Sequence, residues 1–406
     1  MNRALAPQHL LRHAAKASAR PIRLLTFTTL YPNPALPNHG VFVENRLRHL
    51  VAGGEALSTV LAPIPWFPAG ADGAGSEIRH GLRVLHPRFL AVPGLGRLSN
   101  PLSLYLAARA ALRRLVRVGF EFDLIDGHYL YPDGVAAVAL GRHFGKPVVL
   151  TARGSDVSQW PNHLLPRQAI TRAIAGADAL IAVSAGLAEG LLALGAPAAK
   201  VTVLRNGVDL AAFQPPGDRA AARAALGLGG TPTLLSVGHL IERKGHDRII
   251  AALPMLPEHQ LLIAGEGPER AALEAQARRL GVAGRVRLLG MQPHAALPAL
   301  YGAADALVLA SSREGWANVL LEAMACGTPV VASPAWGCRE AVQAPAAGLV
   351  LDDTSPEAIA SGVRRLFTAL PARADTRAYA EGFGWEETTA GQLALFRRVL
   401  AARGGA

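Results

Sequence analysis

Cysteine is nearly absent: the 406 residues hold two, Cys326 and Cys338. Two thiols exclude a disulfide framework, no C-x-x-C or Cys/His spacing marks a zinc site, and a reducing compartment is the natural setting. Lysine is scarce too, limited to Lys16, Lys146, Lys200 and Lys244, so a lysine inside a motif stands out. There is no zinc-finger spacing, no aromatic RNP-like strand and no long basic run, so nothing points to nucleic acid. No uncharged apolar run reaches the roughly eighteen residues that a spanning helix needs.

What the chain does have is apolar bulk. Half its residues are hydrophobic and 17% are charged, which excludes global disorder. The length predicts two or three domains. The formal charge is +11; a basic surface of this kind serves solubility alone, or favours phosphorylated small molecules, anionic headgroups and acidic glycans. The first twenty residues carry Arg3, Arg12, Lys16 and Arg20 with no continuous hydrophobic core for secretion. They read as a flexible basic tail, or as a weak helix lying on an anionic membrane.

From residue 22 onward, short β-branched apolar runs alternate with helical patterns, the signature of βαβ units on parallel sheets. The runs cluster in two halves, the first from Ile22 to Leu204 and the second from Thr233 to Leu351. Between them, Asn206-Gly207 marks a turn and Pro215-Pro216-Gly217 a connector. We therefore expect a tail at 1–20, a Rossmann-like domain at 21–206, a linker at 207–230 and a second Rossmann-like domain at 231–380. A C-terminal helix at 381–406 is expected to pack back across both domains. Ligands of such sheets sit at the carboxyl ends of the strands, so two domains would share a cleft.

The strongest signal is residues 304–333, ADALVLASSREGWANVLLEAMACGTPVVAS. A strand delivers Glu314 to a loop, Gly315 permits a tight turn, and a helix runs from about Asn318 to Cys326. Its free N–H groups near Trp316, Ala317 and Asn318 make a ready diphosphate site. Glu314 precedes the helix and Glu322 lies about a turn inside it. The two are thereby suited to hold different parts of one extended ligand through sugar or ribose hydroxyls. This stretch resembles the E-x7-E signature of the retaining family-4 glycosyltransferases, and the resemblance spans nearly the whole chain. It implies the two-domain GT-B fold, with Glu314 on the donor sugar and Glu322 on the nucleotide ribose.

SVGHLIERKGHDRII, residues 236–250, is similar to the family's VGR…KG segment, in which Arg and Lys neutralise the donor diphosphate. Gly238 allows close backbone approach and Lys244 matches the lysine. His239 stands where the arginine is usual, and a histidine lacks the bidentate fork; Arg243 is a candidate substitute. Gly40, in the loop TLYPNPALPNHG, resembles the glycine that family members bring against the donor phosphates. TARGSDV, residues 151–157, resembles the family's HGSD-type loop with Arg153 in place of histidine, a variant similar to the exopolysaccharide and teichuronic-acid branch. Arg153 and Asp156 are candidates for the transferred sugar or an acidic acceptor, and His128 is either a cleft residue or a packed structural histidine.

The resemblance implies retaining transfer of a sugar from a nucleoside-diphosphate donor to a glycan or lipid-linked hydroxyl acceptor, with Lys244 and Glu314 at the chemistry. No metal-binding D-x-D follows a strand, so no metal or other cofactor is expected. The rivals are a non-catalytic nucleotide-sugar-binding protein and an NDP-sugar epimerase. The expected location is cytoplasmic, with peripheral contact at an anionic inner membrane face.

Overall fold

The computed structural model describes residues 20–66, 75–91 and 96–404. Apart from Arg20, the basic tail expected at the start lies outside these residues.

Two large sheets, with one short two-stranded pair, organise the described residues. The first has eight strands, in the spatial order Val201–Val203, Ala179–Ala182, Val148–Ala152, Leu124–His128, Ile22–Phe27, Ala56–Leu61, Leu82–Leu85 and Ser76–Arg79. All neighbours are parallel except the last pair, an antiparallel hairpin. The second has six parallel strands, ordered Val286–Gly290, Gln260–Ala264, Thr233–Val237, Ala306–Leu309, Val330–Ala332 and Gly348–Val350. Central strands such as VVLTA and TLLSV are buried at every position, because helices cover both faces of a parallel sheet. The order reverses between Ile22–Phe27 and Leu124–His128 in one sheet, and between Thr233–Val237 and Ala306–Leu309 in the other. Those switch points open the crevices in which doubly wound sheets hold ligands.

The sequence pattern overlooks the hairpin strand Ser76–Arg79 and the short pair Ile64–Pro65 with Arg88–Phe89. SEIR is an edge strand with Ile78 70% exposed, so it shows none of the apolar patterning that burial imposes.

The last helix, Glu386–Gly404, leaves the second half and returns to the first. Its Leu393, Leu395, Phe396 and Val399 share a buried cluster with Ile22, Leu24, Val43 and Leu47. At the seam between the halves, Val157, Leu187, Phe213, Trp316 and Leu320 belong to a single buried cluster. The two halves therefore face each other across a packed contact.

Candidate functional site

The loops at the carboxyl ends of the switch-point strands meet here. After Ile22–Phe27 the chain runs through Thr28–Gly40 before the helix Val41–Ala52. Asp133 anchors this loop by accepting from the Thr29 amide at 2.8 Å and its hydroxyl at 3.0 Å. Gly40 sits at φ +70°, where an added Cβ would lie 2.3 Å from the Leu30 carbonyl, so only glycine turns the chain there.

Opposite, the turn Glu242–Lys244 follows Thr233–Val237, and Arg313–Gly315 follows Ala306–Leu309. The two loops are stitched together: the Ser312 amide donates to the Arg243 carbonyl, and the Arg243 guanidinium donates to the Arg313 carbonyl, each at 2.9 Å. Lys244 Nζ then reaches Glu314 Oε1 at 2.5 Å, with Arg243 Nη1 3.9 Å from the same oxygen. Burial pushes the Glu314 carboxyl up, but the charges of Lys244 and Arg243 overcome it and hold the group below the usual range. The two side chains meet in a site largely shielded from water.

A cleft cavity of about 480 Å³ collects most of the sequence candidates: Gly40, Arg153, His239, Arg243, Lys244 and Glu314, with the helix start Gly315, Trp316, Ala317 and Asn318. The helix itself is Asn318–Ala325, and its first N–H groups lack intrahelical acceptors. Gly238 lines an adjoining cavity of about 220 Å³ with Glu266 and His294, and Glu322 a third of about 180 Å³ with Asp209 and His294. Asn38 borders all three. Glu314 and Glu322 thus serve separate compartments of one continuous cleft.

Across the cleft, the backbones of the two halves touch at glycine. A Cβ on Gly315 would lie 2.3 Å from the Arg153 carbonyl oxygen and 2.9 Å from Gly154 Cα. This contact brings Arg153 beside the Glu314 loop.

Asp156 and His128 do not line the cleft cavity, and His128 takes the second of its two readings, the packed histidine. Asp156 is fully buried and accepts from the amides of Leu130, Arg153 and Gly154 at 2.9, 3.0 and 2.7 Å. It shapes the loop and offers a ligand nothing. His128 is 1% exposed and lies behind Arg153 instead of facing the cleft. Arg153 donates to His128 Nδ1 at 2.7 Å; an arginine is only ever a donor, so Nδ1 accepts and the proton sits on Nε2, 3.3 Å from Asp126 Oδ2. Burial drives the imidazole pKa down, Asp126 notwithstanding, consistent with this neutral tautomer.

The sequence reading missed the hub beneath Arg153. Asn206 Oδ1 accepts from both Arg153 and Arg46 at 3.1 Å, its amide donates to Asn318 Oδ1 at 3.3 Å, and its carbonyl accepts the Trp316 indole N–H at 3.0 Å. Arg46, 1% exposed, also donates to Gln392 of the final helix at 2.8 Å. Burial lowers Arg46 to about 10 and Arg153 to about 9. Arg153 Nε and Arg46 Nη2 have no hydrogen-bond acceptor. Arg46 is buried and Arg153 partly so, and the carboxylates whose charge acts on them are Asp126 and, for Arg153, Asp156. Also missed were the partners of Glu322: Tyr301 donates to its Oε2 at 2.8 Å, and His294 Nε2 lies 3.3 Å from its Oε1. That hydrogen bond raises the His294 pKa against the pull of burial. Asn206 read only as a turn residue, and no local pattern marks Tyr301 or His294 as partners of Glu322.

Comparison with known proteins agrees with this architecture. The family "Glycosyl transferases group 1" matches residues 218–383 and "Glycosyltransferase Family 4" residues 40–212. A D-inositol 3-phosphate glycosyltransferase of Kribbella flavida is 31% identical over 93% of this chain and 96% of its own. One from Mycobacterium tuberculosis is 32% identical over 82% of this chain and 73% of its own. Among solved structures, sucrose-phosphate synthase from Thermosynechococcus elongatus superposes with a TM-score of 0.80 at 22% identity, covering 94% of this chain and all of that one. Anabaena HepE in complex with UDP gives 0.70 at 23% identity, covering 91% and 98%. The fold is GT-B, and the chain belongs to the family-4, group 1 glycosyltransferases.

Proposed function

We propose that this glycosyltransferase moves a sugar, with retention, from a nucleoside-diphosphate donor to a hydroxyl of an anionic glycan or lipid-linked acceptor, without a metal. The observation that carries this reading is the Lys244–Glu314 pair standing beside Arg153 across one cavity, with Glu322 in the next. Glu322 receives the ribose hydroxyls and Glu314 those of the sugar. The diphosphate lies between them, met by Lys244, Arg243 and the helix start at 316–318. Fixed cations there stabilise the charge that builds on the leaving group, with no reorganisation during the reaction. The acceptor oxygen bonds to the anomeric carbon on the face from which the diphosphate departs; the C–O bond to the diphosphate breaks, and the acceptor proton passes to a departing phosphate oxygen.

Arg153, which lines the cleft cavity, takes the acceptor's anionic group. The names of the curated relatives, which specify an inositol phosphate, support an anionic acceptor. A role in cell-surface polysaccharide or glycolipid synthesis rests on the TARGSD loop. Contact with an anionic membrane has support from exposed Leu102, Leu106, Leu164 and Leu165 near Arg109, Arg167 and Arg172. Among the described residues no helix is long and apolar enough to cross a membrane.

Calorimetric titration of UDP, GDP and ADP in EDTA tests the donor site. We expect one nucleotide to bind without metal, with affinity reduced at least tenfold by Glu322→Ala and by Lys244→Ala. Binding of none, or binding that only a divalent ion restores, would refute the proposal.

A further inference from the structure

A larger cavity, about 670 Å³, opens on the far side of Glu314. It shares Gly154, Ser158, Arg313, Glu314 and Gly315 with the cleft cavity, so the two spaces are continuous at the glutamate that the proposed function assigns to the donor sugar. Its size falls in the range of roughly 300–1,000 Å³ typical of small-molecule sites.

The lining is amphipathic in an ordered way. Val157 and Leu187 from the first half, with Pro334 and Ala335 from the second, give an apolar wall. Ser312, Asp352, Asp353 and Thr354 give a hydroxyl- and carboxylate-bearing rim. Between them stands Trp336, 47% exposed, an unusual position for so large an apolar side chain. The indole is also held in place. It lies against the helix Ala185–Ala193 at Gly186, where an added Cβ would come within 2.7 Å of Trp336 Cγ. Its own helix, Trp336–Ala341, is clamped to the first half by Glu340, which accepts from the Gly186 amide at 3.2 Å and from Arg205 at 2.6 Å. The helix position of Glu340 next to the last residue, away from the first turn, puts its carboxylate in reach of that seam.

We infer that this cavity is a saccharide subsite that receives a further ring of an extended glycan acceptor, stacked on Trp336 with its hydroxyls donating to Asp352 and Asp353. A pyranose presents an apolar C–H face and a hydroxyl edge, matching the wall and the rim. Carboxylates accept hydroxyl donors well, and Asp352 and Asp353 offer their oxygens at the rim. The inference rests on the donor and acceptor assignments above, and it adds that the acceptor is an oligosaccharide, longer than a single ring.

The test uses the full chain on an array of mono- and oligosaccharides, with and without UDP, alongside a separate UDP titration. Oligosaccharides should bind at least fivefold more tightly than their component monosaccharides. Trp336→Ala should erase that preference with UDP affinity changed less than twofold, and Trp336→Phe should retain most of it. Asp352→Ala, on an exposed loop, should weaken oligosaccharide binding several-fold and serves if Trp336→Ala fails to fold. Equal binding of mono- and oligosaccharides, absence of any saccharide binding, or insensitivity to both Trp336→Ala and Asp352→Ala overturns the subsite. Loss of UDP binding with the oligosaccharide preference intact would instead overturn the donor assignment and leave the subsite standing.

Discussion

Replacing Lys244 by methionine removes the one charge in direct contact with Glu314 Oε1, at 2.5 Å. The side chains are 16% and 10% exposed, so the carboxylate left behind cannot recover its attraction from water. Breaking a buried pair by removing one partner costs about 3–5 kcal/mol, because the cost is that of an uncompensated buried charge. With Arg243 Nη1 3.9 Å away and part-exposed, some compensation remains, so we expect the lower end, about 3 kcal/mol. Scanning calorimetry should show the transition that includes the second half falling by roughly 6–12 °C. The double variant Lys244→Met/Glu314→Gln removes both charges and should regain much of this loss, giving a coupling of about 2 kcal/mol. Both variants should be inactive, so stability and activity separate. The pH dependence carries a sign. In the wild type the Glu314 pKa is lowered in the fold, so its contribution is present above the unfolded carboxylate pKa and lost as pH falls through the folded value. In Lys244→Met, burial dominates and raises that pKa, so the contribution reverses: it is present in acid and lost as pH rises. A loss under about 1 kcal/mol, additive with Glu314→Gln and with the same pH slope as wild type, would refute the assignment of an ionised buried pair.

Two further outcomes follow from the seam between the halves. Gly315→Ala places a methyl 2.3 Å from the Arg153 carbonyl oxygen, closer than atoms approach. Small-angle scattering should report a wider particle, and turnover should fall at least a hundredfold while UDP affinity changes little. Asn206→Ala leaves Arg46 and Arg153 without their shared acceptor and frees Asn318. Loss of a buried partner to charged groups costs about 1.5–3 kcal/mol. Asn206 is 4% exposed at the wall of the cleft cavity and orients Arg153 and Asn318, so kcat should fall more than nucleotide KM rises; a change confined to thermal stability would show the hub to be structural only.

Sequence alone made the sheets legible because parallel strands buried on both faces must be continuous apolar runs, and the chain follows that rule from IRLLTF to PVVAS. It fixed the donor loops for a second reason. Glu314, Gly315, Asn318 and Glu322 are contiguous, and strand–loop–helix geometry dictates where such neighbours point. Lys244 was legible through scarcity and its KG context. The same locality failed on the acceptor side. The oxygens of Asp156 are taken by three backbone amides, and His128 is screened from the cleft by Arg153, a residue 25 positions away.

What the sequence by itself determined was the class of fold, the number of halves and the strand–loop–helix placement of Glu314 and Glu322, all properties of segments a few tens of residues long. Only the tertiary structure decided that Asn206 joins Arg46, Arg153 and Asn318, and that Tyr301 and His294 hold Glu322. It also decided that the last helix supplies Gln392 to a buried arginine, and that Trp336 lines a cavity shared by both halves. Hydrogen bonds and burial depend on distance in space, and a chain that crosses twice between its domains brings together residues whose separation in sequence carries no trace of the contact.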